Sequence, residues 1–140
     1  MRAGSRAGRD NGGCRCGEIR YALTAPPLFH IACHCRDCQY VAGGSPNLTM
    51  VFPADALEVT AGEPRVFKAS ATSGGSYFCG TCGVHIFSRP DKNRHILAVK
   101  VGGLDDASDF KVQADMWMAS APPWHRPHEG ALQFEQNPPG

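Results

Sequence analysis

The sequence predicts a mainly β domain, and two observations support this fold class. Short segments of alternating or continuous apolar residues recur along the chain and are separated by glycine and proline. No segment has the length and period of a long amphipathic helix. Seven cysteines lie in three compact groups, a pattern typical of metal-binding turns. At 140 residues the chain is long enough for one domain with its own core.

Each predicted strand is a short run that ends at turn residues. The predicted strands are 19–23, 28–32, 48–52, 57–60, 65–68, 77–78, 86–88, 95–101 and 112–118, the last of which is the final regular element. Residues 36–42 predict one or two turns of helix, stopped by Gly43 and Gly44. Residues 70–76 are small and polar and predict a loop.

The first and last cysteine groups are glycine-flanked turns that suit a structural zinc. Cys14 and Cys16 form one pair, and Cys79 and Cys82 form the other. Metal-binding turns need glycine because the backbone must curl so that its amides face the thiolate sulfurs. Four thiolates would close the coordination of one zinc ion. Because the pairs are far apart in sequence, the alternative is two unrelated pairs, one of them redox active.

The middle group, Cys33, Cys35 and Cys38, predicts a second and open zinc site. Thiols this close rarely suit disulfide geometry but can converge on one soft metal ion. Three thiolates leave a fourth position free, as in catalytic zinc sites. The alternatives are a closed site with His34 or His85 as fourth ligand and an iron–sulfur cluster, for which no fourth cysteine is spare. If the segment is extended, the His34 side chain points away from the metal.

With its cysteines placed, the chain resembles the glutathione-dependent formaldehyde-activating enzyme family, which also includes centromere protein V-like proteins. The resemblance runs from about Gly12 to Trp124. The matching motifs are GCRCG at 13–17 followed by Tyr21, CHCRDC at 33–38 and FCGTCG at 78–83. It implies a β-tent of two small antiparallel sheets stapled by a structural zinc, with little helix. It also implies a second, labile zinc at the middle group, near the substrate thiol.

The resemblance further implies a carbon–sulfur lyase, similar to S-(hydroxymethyl)glutathione synthase. Such an enzyme joins glutathione to formaldehyde as S-hydroxymethylglutathione, and the same site could act on a related thiol adduct. Cys33, Cys35 and Cys38 would be the catalytic residues, because zinc on three thiolates binds an incoming thiol as the nucleophilic thiolate. His34, Arg36 and Ser45 lie next to this metal in sequence and are expected to contact the tripeptide. The rival hypothesis is a non-catalytic, zinc-stabilised binding module.

Charge and composition limit the partners and the location. The formal net charge of +1 gives no basic field that would favour nucleic acid, and no apolar run approaches the ~20 residues that cross a membrane. The sequence does not decide whether the chain forms a homodimer. The start of the chain is rich in arginine but lacks the apolar segment of a secretory signal, so a cytoplasmic location with reduced thiols is expected, with an organelle transit peptide as the alternative. The predicted organisation is a flexible tail at 1–11, the zinc-binding domain at 12–126 and a C-terminal tail at 127–140.

Overall fold

The computed structural model describes residues 11–138, in which eleven strands and one α-helix form the mainly β architecture that the sequence predicts. The strands are β1 (Asn11–Gly13), β2 (Arg20–Leu23), β3 (Phe29–Cys33), β4 (Asn47–Pro53), β5 (Leu57–Ala61), β6 (Arg65–Phe67), β7 (Ser76–Phe78), β8 (His85–Ser88), β9 (Ile96–Lys100), β10 (Ala114–Met116) and β11 (Leu132–Gln133). The helix is α1 (Arg36–Ala42). Single 3-10 turns cover Val101–Gly103 and Met118–Ser120.

The strands form two sheets, which confirms the predicted class. The smaller sheet is antiparallel and has the order β1-β2-β5. The larger has the order β11-β10-β3-β4-β9-β8-β7-β6 and is antiparallel from β3 to β6. At its other edge β10 lies parallel to both β3 and β11. An isolated bridge between Gly12 and Leu104 joins β1 to the segment that follows β9.

The core is centred on β4 and β9. Met50 and Phe52 of β4 lie opposite Val99 and Leu97 of β9, and all four side chains are fully buried. Alternate residues of each strand face the core, as the period-two pattern of these segments predicts. Burial of each such side chain contributes about 1.5–3 kcal/mol relative to exposure. This packing fixes the register of the two strands, and with it the position of the polar residues at their ends.

Helix α1 has the bounds that the sequence predicts. It starts after Cys35, whose Sγ accepts a hydrogen bond from the backbone N–H of Cys38 at 3.4 Å. It ends at Gly43, whose φ of 73° is a left-handed conformation that favours glycine. The first turn of the helix therefore lies within the middle cysteine group, and the helix carries Cys38 towards the sheet.

The C-terminal segment adds a strand that the sequence analysis did not predict. Strand β11 follows the segment 112–118, which was expected to be the last regular element. Leu132 N–H donates to Gln113 O and Phe134 N–H donates to Asp115 O, both at 2.9 Å. A two-residue strand is too short to carry a periodic signal, and its partner lies far back in the sequence.

The predicted N-terminal tail lies outside the described residues, except for Asn11, which begins β1. Across residues 11–138 we find no helix with the length and apolar character needed to span a bilayer.

Candidate metal centres and the adjoining cleft

Cys14, Cys16, Cys79 and Cys82 come together as one group, although they belong to two distant turns. All four sulfurs lie within 4.8 Å of one another, and all four residues are free cysteines. The Sγ–Sγ distance is 3.5 Å between Cys14 and Cys16 and 3.8 Å between Cys16 and Cys79. Zinc with four Zn–S bonds of ~2.3 Å places its sulfurs about 3.8 Å apart, whereas a disulfide bond is ~2.05 Å long. The four thiols therefore fit a tetrahedral metal site, and we call them the closed group.

Backbone amides face the sulfurs of the closed group. Ile19 N–H donates to Cys14 Sγ at 3.3 Å, and the N–H groups of Thr81 and Cys82 donate to Cys79 Sγ at 3.4 Å. Gly83, with a φ of 78°, closes the second turn. Hydrogen bonds of this kind favour thiolate over thiol. The donor set and its surroundings suit a metal that is fully coordinated by protein.

Cys33, Cys35 and Cys38 form a second group, which we call the open group. Their sulfurs also lie within 4.8 Å of one another. Cys33 ends β3, Cys35 caps α1 and Cys38 lies in the first turn of the helix. Within residues 11–138, no histidine or carboxylate joins these three sulfurs. Three soft donors without a fourth protein ligand fit a zinc ion that keeps one position free.

Cys38 is the thiol of the open group that ionises most readily. Its hydrogen bond with Cys33 lowers the pKa of Cys38 to about 6, helped by Asn47 and opposed by burial. Asn47 Nδ2 donates to Cys38 Sγ at 3.4 Å. Lys100 Nζ in turn donates to Asn47 Oδ1. The same contact with Cys38, together with burial, raises the pKa of Cys33.

His34 points away from the open group, as the extended geometry predicts, and lies in a buried network instead. Its Nε2 donates to Asp115 Oδ1 at 2.8 Å, and its Nδ1 lies 2.8 Å from Ser45 Oγ. Asp115 also accepts from His128, at Oδ2 from the backbone N–H (2.7 Å) and at Oδ1 from Nδ1 (2.9 Å). Although burial raises the pKa of Asp115, the hydrogen bonds from His34 and His128 lower it further than burial raises it. Through these hydrogen bonds, the residue that follows β3 is connected to β10, to the loop after α1 and to the C-terminal segment.

The three expected substrate contacts lie in different surroundings. His34 is fully buried and its ring nitrogens already have partners, one of which is Ser45. Arg36 lies on the exposed face of α1, where it donates to Gln39 Oε1 at 2.5 Å and covers the ring of Tyr40. Contact of these residues with a substrate stays a prediction.

A cleft of about 730 Å³ is lined by Cys14 of the closed group and by Asn47, the residue that contacts Cys38, but by none of the three cysteines of the open group. Its lining includes the first cysteine turn, the loop after α1 and the start of β4. Its polar and charged lining residues include Arg15, Arg20, Asn47, His85, Lys100 and Asp105. The volume falls in the range of about 300–1,000 Å³ that is usual for small-molecule sites. The cleft reaches the open group through Asn47, which contacts Cys38.

Sequence reasoning missed Asn47 and Lys100 as residues of this site. They lie at the ends of β4 and β9, where only the pairing of the two strands brings them to Cys38. His85, considered above as a fourth metal ligand, lines the cleft and does not belong to the open group. Its Nε2 is buried without a hydrogen-bond partner, and burial, followed by the charge of Lys100, lowers the pKa of His85.

Comparison with known proteins gives the family. The sequence model described as "Glutathione-dependent formaldehyde-activating enzyme" matches residues 9–120, which is most of the chain. The chain belongs to the glutathione-dependent formaldehyde-activating enzyme family. The matched region contains both cysteine groups, and the resemblance noted in the sequence is confirmed.

One named relative agrees with this assignment, and one solved structure shares the fold. A protein of Penicillium rubens named "Putative glutathione-dependent formaldehyde-activating enzyme" is 32% identical over 82 residues. That alignment covers 57% of this chain and 42% of the relative, so the chain matches less than half of the relative's length. A crystal structure of a Rhodobacter sphaeroides protein superposes with a TM-score of 0.58 at 17% identity, covering 89% of this chain and 98% of the other. At that identity the similarity concerns the fold alone.

Proposed function

We propose that this protein is a zinc-dependent carbon–sulfur lyase of the synthase type, which joins glutathione to formaldehyde as S-hydroxymethylglutathione or acts on a related thiol adduct. The observation that carries the proposal is the open group: three convergent thiols, with no fourth protein donor among residues 11–138, beside a cleft of small-molecule size. The family assignment supplies the two substrates. The closed group would hold a second, structural zinc, and the cytoplasm would keep the seven thiols reduced.

The open group, Asn47 and the cleft would each have a separate role in the reaction. Zinc bound by Cys33, Cys35 and Cys38 would supply an open coordination position that stabilises the thiolate form of a substrate thiol. Asn47 orients Cys38 through its hydrogen bond to Sγ and, after Cys33, helps to lower the pKa of that thiol. The walls of the cleft would hold the rest of the thiol substrate.

In the reaction the substrate sulfur attacks the formaldehyde carbon, and the new C–S bond replaces the π bond of the carbonyl. The carbonyl oxygen gains one proton and the thiol loses one, so the addition consumes nothing besides the two substrates. Because thiols add to formaldehyde without help, the catalytic gain required of the protein is small. The reverse step, cleavage of the C–S bond, is the lyase direction of the same site.

Cobalt in place of zinc tests the proposal directly, because an added thiolate ligand changes the visible absorption of cobalt. We expect the spectrum of the cobalt protein to change on titration with glutathione and to stay unchanged with S-methylglutathione, which has no free thiol. Product formation from glutathione and formaldehyde would be followed by NMR. The Cys38→Ser variant is the control, since it lacks one ligand of the open group.

The outcomes separate the candidate functions. A change specific to glutathione supports the synthase, whereas a change produced equally by cysteine assigns the site to another thiol. If no thiol changes the spectrum, the enzyme hypothesis is wrong and the binding module is left.

A further inference from the structure

Lys100 lines the cleft and is linked to the open group through Asn47. It ends β9, opposite Thr49 of β4, and its side chain is half-buried. Its Nζ donates to Asn47 Oδ1, and Asn47 Nδ2 donates to Cys38 Sγ. A continuous set of contacts thus leads from a cation that lines the cleft to a thiol of the open group.

The charges around the cleft favour a negatively charged occupant. Three cations line it, Arg15, Arg20 and Lys100, against one carboxylate, Asp105. Arg20 and Asp105 pair with each other, with Nη1 3.0 Å from Oδ1. Within residues 11–138, Lys100 has no carboxylate partner. Its charge therefore acts on whatever enters the cleft.

A cation at this place would reduce the repulsion between the open group and a negatively charged substrate. Three thiolates around a divalent metal leave a net charge of about −1, which repels a second anion at short range. A thiol substrate that carries a carboxylate brings two negative charges when it ionises. A cation near Cys38 offsets this repulsion more effectively when it is partly buried, and Lys100, which Asn47 links to Cys38, is half-buried. His85, its neighbour in the cleft, adds no charge at neutral pH because burial and Lys100 keep its ring neutral.

We propose that Lys100, held by Asn47, is a specificity residue that makes the cleft select thiols bearing a carboxylate over neutral thiols of the same size. The inference rests on the proposed function, because it concerns the thiol that enters the open group. The substrate class it names is a small anionic thiol, of which glutathione is one member. The cleft, at about 730 Å³, can hold a thiol of tripeptide size with its carboxylate near Lys100.

A pair of matched thiols tests the inference on the cobalt-loaded protein. The anionic probe is 3-mercaptopropionate and the neutral probe is 3-mercaptopropionamide, which differ only in the terminal group. Their affinities are read from the visible spectrum, which does not depend on turnover. We expect the wild-type protein to bind the anionic probe about tenfold more tightly at low ionic strength, the size of effect that a nearby charge produces in a partly screened cleft.

Three variants isolate the charge of Lys100. Lys100→Gln keeps a donor for Asn47 but removes the charge, so the preference should fall to about one. Lys100→Arg should restore most of it. Lys92→Gln is the matched control, because Lys92 is exposed and does not line the cleft, and it should leave the preference unchanged.

The results distinguish the inference from the proposed function. If neither probe binds the wild-type cobalt protein, the proposed function fails and the inference fails with it. If both bind but the wild type shows no preference, or Lys100→Gln keeps the wild-type preference, the inference alone is overturned. If Lys100→Gln does not fold, the wild-type preference still decides: a fall towards one as salt is raised supports the inference, and a salt-independent preference overturns it.

Discussion

Asp115 shows how single residues hold the region around the open group in place. Its carboxylate is fully buried and receives three hydrogen bonds, one from His34 and two from His128. A buried charge is costly unless it is paired and hydrogen-bonded. Asp115 meets that condition, and through it β10 and the C-terminal segment are fixed to the residue between Cys33 and Cys35.

Asp115→Ala should destabilise the fold by about 3–5 kcal/mol, because it leaves His34 Nε2 buried without a partner and releases His128. Urea unfolding of the zinc-loaded protein measures the loss. Asp55→Ala, at an exposed carboxylate, is the control and should change stability by less than about 0.5 kcal/mol. An Asp115→Ala protein as stable as the control would show that the hydrogen-bond network does not contribute to the free energy of unfolding.

Among single residues, the cysteine ligands could be predicted from the sequence, but the side chains that contact them could not. The two groups of metal ligands could be predicted because closely spaced cysteines indicate a metal site. The partners of those groups could not. His34 and Asp115 are separated by 81 positions, and Lys100 and Asn47 by 53. A local sequence pattern does not predict a contact that depends on how distant strands pair.

At the scale of elements, the predictable parts are those whose cause is local. Helix α1 was placed correctly because Gly43 stops it, and β9 because it is a short apolar run that ends before a glycine pair. Strand β11 was missed, since two exposed residues owe their conformation to the neighbouring β10. The two cysteine groups are likewise built from short turns, and their roles can be separated by one substitution in each.

Cys79→Ser and Cys38→Ser should have different effects, although each removes one thiol. Cys79 is fully buried in the closed group, and a structural zinc contributes on the order of 10 kcal/mol to folding, so its loss should leave a largely unfolded chain. Cys38→Ser should give a folded protein that has lost one zinc and its thiol binding. Circular dichroism and metal analysis of both variants measure the difference. If Cys38→Ser unfolds the chain as completely as Cys79→Ser does, both groups are structural and the proposed enzyme is wrong.

At the scale of the whole molecule, the two sheets together form the cleft, which Cys14 of the closed group lines directly and which Asn47 links to Cys38 of the open group. The smaller sheet supplies the first cysteine turn, and the larger sheet supplies Asn47 and Lys100. The strand order of the larger sheet was beyond sequence reasoning, because it follows from the packing of residues such as Met50 and Phe52 against other strands. With one closed and one open donor set, we expect two metal ions that are held with unequal strength.

The purified protein should therefore contain two zinc ions per chain, of which mild chelation removes one. Four thiolates enclose a metal completely, whereas three leave it open to a competing ligand. Elemental analysis before and after dialysis against a chelator gives the count, and the retained ion should be absent from a Cys79→Ser protein. Two ions of equal resistance would mean that the open group has a fourth ligand.

The 63-residue separation between Cys16 and Cys79 in the closed group also determines how a newly made chain meets its metal. A ribosome that builds the chain from its N-terminus completes the open group at Cys38, long before Cys82 emerges. Closing a loop of that length costs entropy that the short open group avoids. We therefore expect the nascent chain to encounter zinc first at the site that will hold it less firmly, and to secure the tighter ion only when synthesis has passed the second turn.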